Sequence, residues 1–311
     1  ECHETCGDLA IPYPFGIGGK GNNCGLPGFE INCNGTIPFL PIPSGEIQIL
    51  NVSADYLLVN ATQFYASNCE NMRNTTGFTM SSEGPFRISG YNKFVAVGCK
   101  AMGLFEMARG NDETLWGGCL SVCSHNPILS QCNGDGCCST PVPSNYSQFL
   151  VAASNFTLIE IPHYNMSCSY AAILDESSWH LVSKSGTTNF ASDAYMRLDW
   201  AIPNDSCASA QAKKNSYKCD PNAQCEDREW GYTCKCRSGY EGNGYSNGTG
   251  CTDIDECSDP GLNNCYLSSG GGRCVNTKGS YKCSCAKGRG DGTRNGTRCT
   301  STSFQALPAT I

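Results

Sequence analysis

Residues 46–52 read Glu46-Ile47-Gln48-Ile49-Leu50-Asn51-Val52, a partly alternating run with Ile47, Ile49 and Val52 turned inward. Alternation with period two marks a half-buried strand. Residues 94–99, Phe94-Val95-Ala96-Val97-Gly98-Cys99, stay apolar throughout and read as a more deeply buried strand. Residues 156–161, Phe156-Thr157-Leu158-Ile159-Glu160-Ile161, alternate again with Thr157 on the solvent side. Helical periodicity is scarce, and a short helix is expected only around Leu104 to Arg109. The segments between strands carry Pro and Gly: the opening run from Cys6 to Gly18 contains Pro12, Pro14, Gly16 and Gly18, and reads as extended and turn-laden. A turn and a short strand follow at 24–33. The pattern predicts a mainly β chain.

Composition sharpens this. Twenty-four cysteines in 311 residues make the chain disulfide-rich and place it in an oxidising compartment. That compartment also favours disulfides over zinc at Cys2-x-x-x-Cys6 and Cys119-x-x-x-Cys123. Gly 35 and Pro 15 fit a loop-rich β fold. Net charge is −7 without a basic run, which argues against nucleic acid as a partner. No stretch approaches twenty apolar residues, and no charged leader precedes an apolar run, so a mature secreted chain is expected. Ten Asn-x-Ser/Thr sequons, at Asn34, Asn51, Asn60, Asn74, Asn145, Asn155, Asn165, Asn204, Asn247 and Asn295, predict surface glycosylation.

Two catalytic-looking motifs fail on context. Gly16-Ile17-Gly18-Gly19-Lys20-Gly21 matches a dinucleotide fingerprint but follows Pro12 and Pro14 rather than a strand. Gly244-Tyr245-Ser246-Asn247-Gly248 matches a nucleophile elbow but overlaps a sequon in a cysteine-framed loop. The four histidines, His3, His125, His163 and His180, adjoin no plausible nucleophile.

Residues 207–299 hold two runs of six cysteines: 207, 219, 225, 234, 236, 251 and 257, 265, 274, 283, 285, 299. In each, one residue separates the fourth from the fifth. This order resembles epidermal-growth-factor-like (EGF-like) modules, in which disulfides replace a hydrophobic core. The resemblance implies pairing first with third, second with fourth and fifth with sixth: Cys207–Cys225, Cys219–Cys234, Cys236–Cys251, Cys257–Cys274, Cys265–Cys283 and Cys285–Cys299. Asp253-Ile254-Asp255-Glu256 before the second run, with Asn276 and Tyr281 in register, resembles the calcium-binding subtype. Ca2+ takes six to eight oxygens. Asp253 and Glu256 offer carboxylates and Asn276 a carbonyl; the resemblance adds backbone oxygens of Ile254, Thr277 and Ser280. The first module lacks the acidic run, so one Ca2+ is expected, in the second. Tyr240 is expected to pack against the module that follows it.

The amino-terminal part has its own signature. Cys6-Gly7, then Pro12-Tyr13-Pro14-Phe15-Gly16, then Cys24-Gly25-Leu26-Pro27-Gly28-Phe29-Glu30-Ile31-Asn32-Cys33 resembles the galacturonan-binding domain of plant wall-associated receptor kinases. Gly136-Cys137-Cys138, Cys168-Ser169-Tyr170-Ala171 and Leu198-Asp199-Trp200-Ala201-Ile202 resemble the cysteine-rich segment of the same family. Vicinal Cys137 and Cys138 are expected to find separate, distant partners. The domains so expected are 1–116 galacturonan-binding-like, 117–202 cysteine-rich, 203–252 and 253–299 EGF-like, and 300–311 a juxtamembrane stub.

The resemblance implies a non-catalytic receptor ectodomain on the outer face of the plasma membrane. It would bind pectic cell-wall polysaccharide and signal through a membrane span and Ser/Thr kinase outside this chain. The alternative is a protein-interaction ectodomain that senses a peptide, co-receptor or pathogen protein. Residues 1–200 carry eight Lys/Arg against seventeen Asp/Glu, net −9, a poor generic match for a polyanion. A local cation patch or bridging Ca2+ is then required. Five of those eight cations, Arg73, Arg87, Lys93, Lys100 and Arg109, fall between 73 and 109 and are the ligand candidates. Tyr13, Phe15, Tyr91 and Trp116 could stack on sugars, with Phe15 and Trp116 better suited to a core.

Overall fold

The computed structural model describes residues 3–18, 24–69, 72–110, 113–124, 132–156, 168–178, 193–213, 216–265, 273–284, 289–291 and 299–301. The chain divides into two units, residues 1–217 with 226–233, and residues 218–225 with 234–311.

The first unit is built on three sheets. A seven-stranded sheet runs in the order Phe86–Ile88, Tyr195–Trp200, Tyr56–Asn60, Gly45–Val52, Ile37–Ile42, Glu30–Asn34 and Gly16–Ile17. Its last pair is parallel. A five-stranded sheet orders Cys137–Pro141, Asn92–Val97, Cys168–Asp175, Tyr65–Cys69 and Met72–Arg73. A four-stranded sheet orders Thr75–Thr79, Gln148–Asn155, Lys100–Arg109 and Glu113–Val122.

Alternation explains the faces. In Tyr195–Trp200, Met196, Leu198 and Trp200 are buried, while Tyr195, Arg197 and Asp199 lie on the other face. Ile47 and Ile49 are buried in Gly45–Val52. Asn92–Val97, paired on both edges, is buried almost throughout. The inner aromatics form a cluster of Phe15, Phe29, Phe86 and Trp200, with ring centres 5.3–6.2 Å apart. Trp200 Nε1 donates to Ser53 O at 3.1 Å, so its polar atom is satisfied. The Pro-Tyr-Pro-Phe-Gly run therefore serves as a core plug: Phe15 is buried, and the Tyr13–Pro14 bond is cis. Burying such a ring is worth about 2–3 kcal/mol.

Two expectations from the sequence differ from the fold. Residues 104–109 belong to the strand Lys100–Arg109, hydrogen-bonded on both sides. Leu, Glu, Met and Ala favour helix, but Ala101, Phe105 and Met107 face inward with period two, and tertiary pairing overrides propensity. The boundary expected between 116 and 117 falls inside Glu113–Val122, and residues on both sides of it share all three sheets. The strand expected at 156–161 lies, beyond residue 156, outside the described residues; Gln148–Asn155 precedes it. The helix described in this unit is Cys207–Ala212, capped by Ser206, whose Oγ accepts from Ser209 N at 3.1 Å.

Disulfides pin the sheets: Cys6–Cys33, Cys69–Cys168, Cys99–Cys123, Cys119–Cys138 and Cys132–Cys137. The vicinal cysteines do have separate partners, but Cys132 is only five residues from Cys137. Cys6, Cys119 and Cys123 are thereby committed to sulfur rather than to a metal. Residues 226–233 complete the first unit: Ile202 pairs with Tyr232 and Pro203 with Gly231.

The second unit has little core and is held by Cys219–Cys234, Cys236–Cys251, Cys257–Cys274 and Cys265–Cys283. Cys207 and Cys225 are both disulfide-bonded. Cys285 lies outside the described residues. Tyr240–Glu241 pairs with Thr252–Asp253, and Arg273–Thr277 with Ser280–Ser284. The Tyr240 ring sits on Gly279, where an added Cβ would meet the ring at 2.8 Å. Gly279 also has φ +74°, so this contact requires glycine.

Candidate functional site

Of the five cations expected to gather at a ligand, Arg87, Lys93 and Arg109 have partners within the fold. Arg87 is 4% exposed. Its guanidinium donates to the carbonyls of Ser82 at 2.5 Å, Phe86 at 2.6 Å and Gly84 at 2.9 Å, and lies over the Trp230 ring. Burial, aided by nearby Arg109, lowers its pKa to about 10, leaving it cationic at neutral pH. Arg109 faces Glu229 at 3.6 Å and Glu113 at 3.7 Å, and Nε donates to Asn145 O at 3.0 Å. Lys100 begins a strand of the four-stranded sheet and is half-buried. Arg73 is in Met72–Arg73, and its side chain lies outside what is described. Lys93 pairs with Glu176 at the surface.

Lys93 adjoins a feature that the sequence did not reveal. The Arg197 guanidinium carbon lies 4.1 Å from the centre of the Tyr56 ring and 4.7 Å from that of Tyr91. Its Nε donates to Asp175 Oδ2 at 3.0 Å. Asn92 builds the geometry: its Oδ1 accepts from Arg197 N at 2.8 Å and its Nδ2 donates to Arg197 O at 2.8 Å. The side chain before it, Tyr91, is thus held over the guanidinium, yet is 65% exposed. A flat, rigid ring in water beside a surface lysine is a surface on which a sugar face could stack. Alternation along 195–200 could have placed Arg197 outward; its partners, 106 and 141 positions away, could not be read.

The other aromatics separate cleanly. Phe15 is core, as expected. Trp116 is not: it is 67% exposed on the outer face of the four-stranded sheet, where Leu104, Leu120 and Leu150 are also exposed. The sequons divide too. Asn34, Asn51, Asn74, Asn155, Asn204 and Asn247 are exposed, and Asn60 is partly buried. Asn145 is 4% exposed, with Nδ2 donating to Glu229. That nitrogen is where a glycan attaches, so this arrangement excludes one there. Asn165 and Asn295 lie outside the described residues.

In the second unit, two of the calcium candidates, Asp253 and Asn276, meet, although among the described residues no three Asp, Glu, His or Cys side chains gather as a metal site. Asn276 Nδ2 donates to Asp253 Oδ2 at 2.9 Å, and Gly279 N donates to Asp253 Oδ1. Thr277 Oγ1 donates to Ser280 O at 2.8 Å, closing the turn between their strands. Ile254 N donates to Gly239 O at 2.9 Å, which fixes the backbone before Glu256. One Glu256 carboxylate oxygen, Oε2, is buried without a hydrogen-bond partner. A buried, unpartnered anionic oxygen is expensive unless a cation meets it. The donors are all oxygen, the choice of a hard cation, so the residues fit Ca2+.

Residues 2–61 match the family described as wall-associated receptor kinase galacturonan-binding. Residues 213–246 match the EGF domain and residues 253–299 the calcium-binding EGF domain. Along 93% of its length the chain is 31% identical to wall-associated receptor kinase 2 and to wall-associated receptor kinase 5 of Arabidopsis thaliana. The chain belongs to the wall-associated receptor kinase family. Wall-associated receptor kinase 3 of the same plant is 33% identical over 83% of the chain. The chain spans 36–39% of the length of these relatives. Its matched segments are receptor ectodomain modules rather than catalytic ones. Among the described residues no helix is long and apolar enough to cross a membrane.

In this family setting the charge problem becomes specific. The galacturonan-binding match, 2–61, holds Lys20 as its single Lys or Arg, outside the described residues, against Glu4, Asp8, Glu30, Glu46 and Asp55. A uronate at this segment would therefore need Lys20, cations from elsewhere in the fold or bridging Ca2+. Arg197 is placed next to this segment by pairing of Tyr195–Trp200 with Tyr56–Asn60.

Proposed function

We propose that this chain is the part of a plant cell-surface receptor that binds pectic polysaccharide, homogalacturonan and its oligomers, outside the plasma membrane. The whole receptor would then pass the signal to a Ser/Thr kinase. The observation that carries this reading is the galacturonan-binding match over residues 2–61. The exposed Tyr91 ring, stacked on Arg197 beside Tyr56, supports a contact surface at the edge of that segment. Tyr91 would stack on a sugar face and Lys93 would meet a carboxylate. The Lys93–Glu176 pair is exposed, and such pairs are worth under about 1 kcal/mol, so a uronate could replace Glu176. Ca2+ at Asp253, Glu256 and Asn276, with carbonyls of Ile254, Thr277 and Ser280, would stiffen the second unit near Tyr240 and Gly279 rather than act on the sugar.

The test is calorimetry of the purified chain with de-esterified galacturonate oligomers of increasing length, in low salt, with calcium or with chelator. Binding should strengthen with length and weaken with salt. Tyr91→Ala should lose about tenfold in affinity, the usual effect of truncating an aromatic anchor. Full binding by that variant would move the contact away from Tyr91. Absence of binding in both calcium conditions would overturn the pectin reading.

A further inference from the structure

The first unit also holds a cavity of about 600 Å³ whose chemistry is opposite to that of a uronate site. Its walls include Pro27, Pro41, Pro43, Pro85 and Pro203. Proline has no N–H, so these residues offer apolar ring faces and no backbone donor of their own. Ile42, Met80 and Phe86 add further apolar surface. The charged lining residues are Glu30 and Glu83, with no Lys or Arg among them. Two carboxylates with no lining cation repel a galacturonate and attract a donor cation.

Internal contacts brace two walls of the cavity. Arg87 ties the carbonyls of Ser82, Gly84 and Phe86 together from behind one wall. Gly28, at φ +89°, lets Pro85 close against the opposite wall, where an added Cβ would meet Pro85 Cδ at 3.2 Å. Gly28 N donates to Glu30 Oε2 at 2.9 Å and holds that carboxylate in place. Proline side chains lose almost no freedom on contact, so little ordering is left to oppose binding.

We propose that this cavity binds a peptide through one lysine or arginine side chain flanked by apolar residues. The alkyl stem would lie along the proline faces and the cationic head would meet Glu30 and Glu83. The occupant is a protein segment, a ligand class separate from the polysaccharide, and the inference stands whether or not pectin binds.

The probe is the tripeptide Ac-Leu-Lys-Leu-amide, compared with its norleucine analogue by ligand-observed NMR against the whole glycosylated chain. The exposed sequon residue Asn204 borders the cavity, so the native glycoform is the relevant one. The lysine peptide should bind at least about fivefold more tightly, the gap expected from two solvent-accessible ion pairs. The double variant Glu30→Gln and Glu83→Gln should close that gap, because a glutamine amide oxygen can still accept from Gly28 N but carries no charge. High salt should close it in the wild type. Equal binding of both peptides, no binding of either, or a gap that survives in the variant would overturn the proposal. The variant should bind galacturonate oligomers as the wild type does; loss there would assign the cavity to the sugar instead and also overturn it. An unchanged melting temperature confirms that the variant is folded.

Discussion

Arg87→Lys keeps the charge and most of the side-chain length, and on a ligand-facing surface it would be nearly silent. Buried among backbone carbonyls it should not be. The guanidinium makes three good bonds, to Ser82, Phe86 and Gly84, and a fourth to Ser81 at 3.4 Å that adds little. An ammonium on one flexible stem can satisfy about one of the three. Each charge-assisted bond lost costs about 1.5 kcal/mol, so about 3 kcal/mol disappears. Against this, Arg87 Nε is itself buried without a partner, and removing it returns about 1 kcal/mol. The net loss is about 2 kcal/mol, or a melting-temperature drop of about 4–8 °C for a unit of this size. Near-UV circular dichroism under non-reducing conditions would read the unfolding, with galacturonate binding measured well below it. A variant that melts like the wild type but no longer binds the sugar would show that Arg87 faces the ligand, and the packing argument would fail.

Glu256→Ala should abolish calcium uptake by the second unit at millimolar calcium, read by calorimetry, and should make proteolysis around residues 251–253 insensitive to chelator. Unchanged uptake would refute the assignment. Burial raises the Asp199 carboxyl above its ordinary pKa, with the Ser89 hydrogen bond and Arg228 acting against it. The folded state then holds this proton more tightly than the unfolded one, so stability is lost as pH rises from the ordinary aspartate value to the folded one. Asp199→Asn should remove that downward slope from a plot of melting temperature against pH; an unaltered slope would exclude Asp199 as its source. Glycopeptide mapping should find Asn145 bare while Asn34, Asn51 and Asn247 carry sugar. An occupied Asn145 would mean that its contact with Glu229 does not form.

What the sequence disclosed was whatever depends on short spacing. Cysteine order and the acidic run before Cys257 lie within modules of some forty residues, so their geometry is nearly a local property. The strands at 46–52 and 94–99 were readable because one face or both are buried by their own alternation. The Arg197 stack was not, since Tyr56 shares a sheet with Arg197 while Asp175 and the turn residue Tyr91 belong to another, and only the packing of the two brings them together. Arg87 and Lys93 looked alike as charges; burial separates them, and burial is a tertiary property. Trp116 was assigned to a core because large aromatics are usually there, but its partner in register is Glu106 on the outer face. The boundary at 116/117 followed a change of cysteine texture, whereas sheets ignore texture and follow hydrogen-bond edges.

The position of Tyr195–Trp200 between Phe86–Ile88 and Tyr56–Asn60 fixes the timing of biogenesis. Both neighbours precede it by more than a hundred residues. At ordinary synthesis rates that interval is on the order of 5–25 s. Throughout it, Leu57, Val59 and Ile88 wait on unpaired edges in a lumen crowded with other chains. The Cys69–Cys168 bond, separated by 99 residues, must also hold off until late, while earlier cysteines are already open to wrong partners. Non-local closure of this kind is slow and prone to aggregation. Weakening substitutions in residues 195–200 should therefore appear first as poor secretion and retention by the quality-control machinery. The molecules that are secreted should be normally folded.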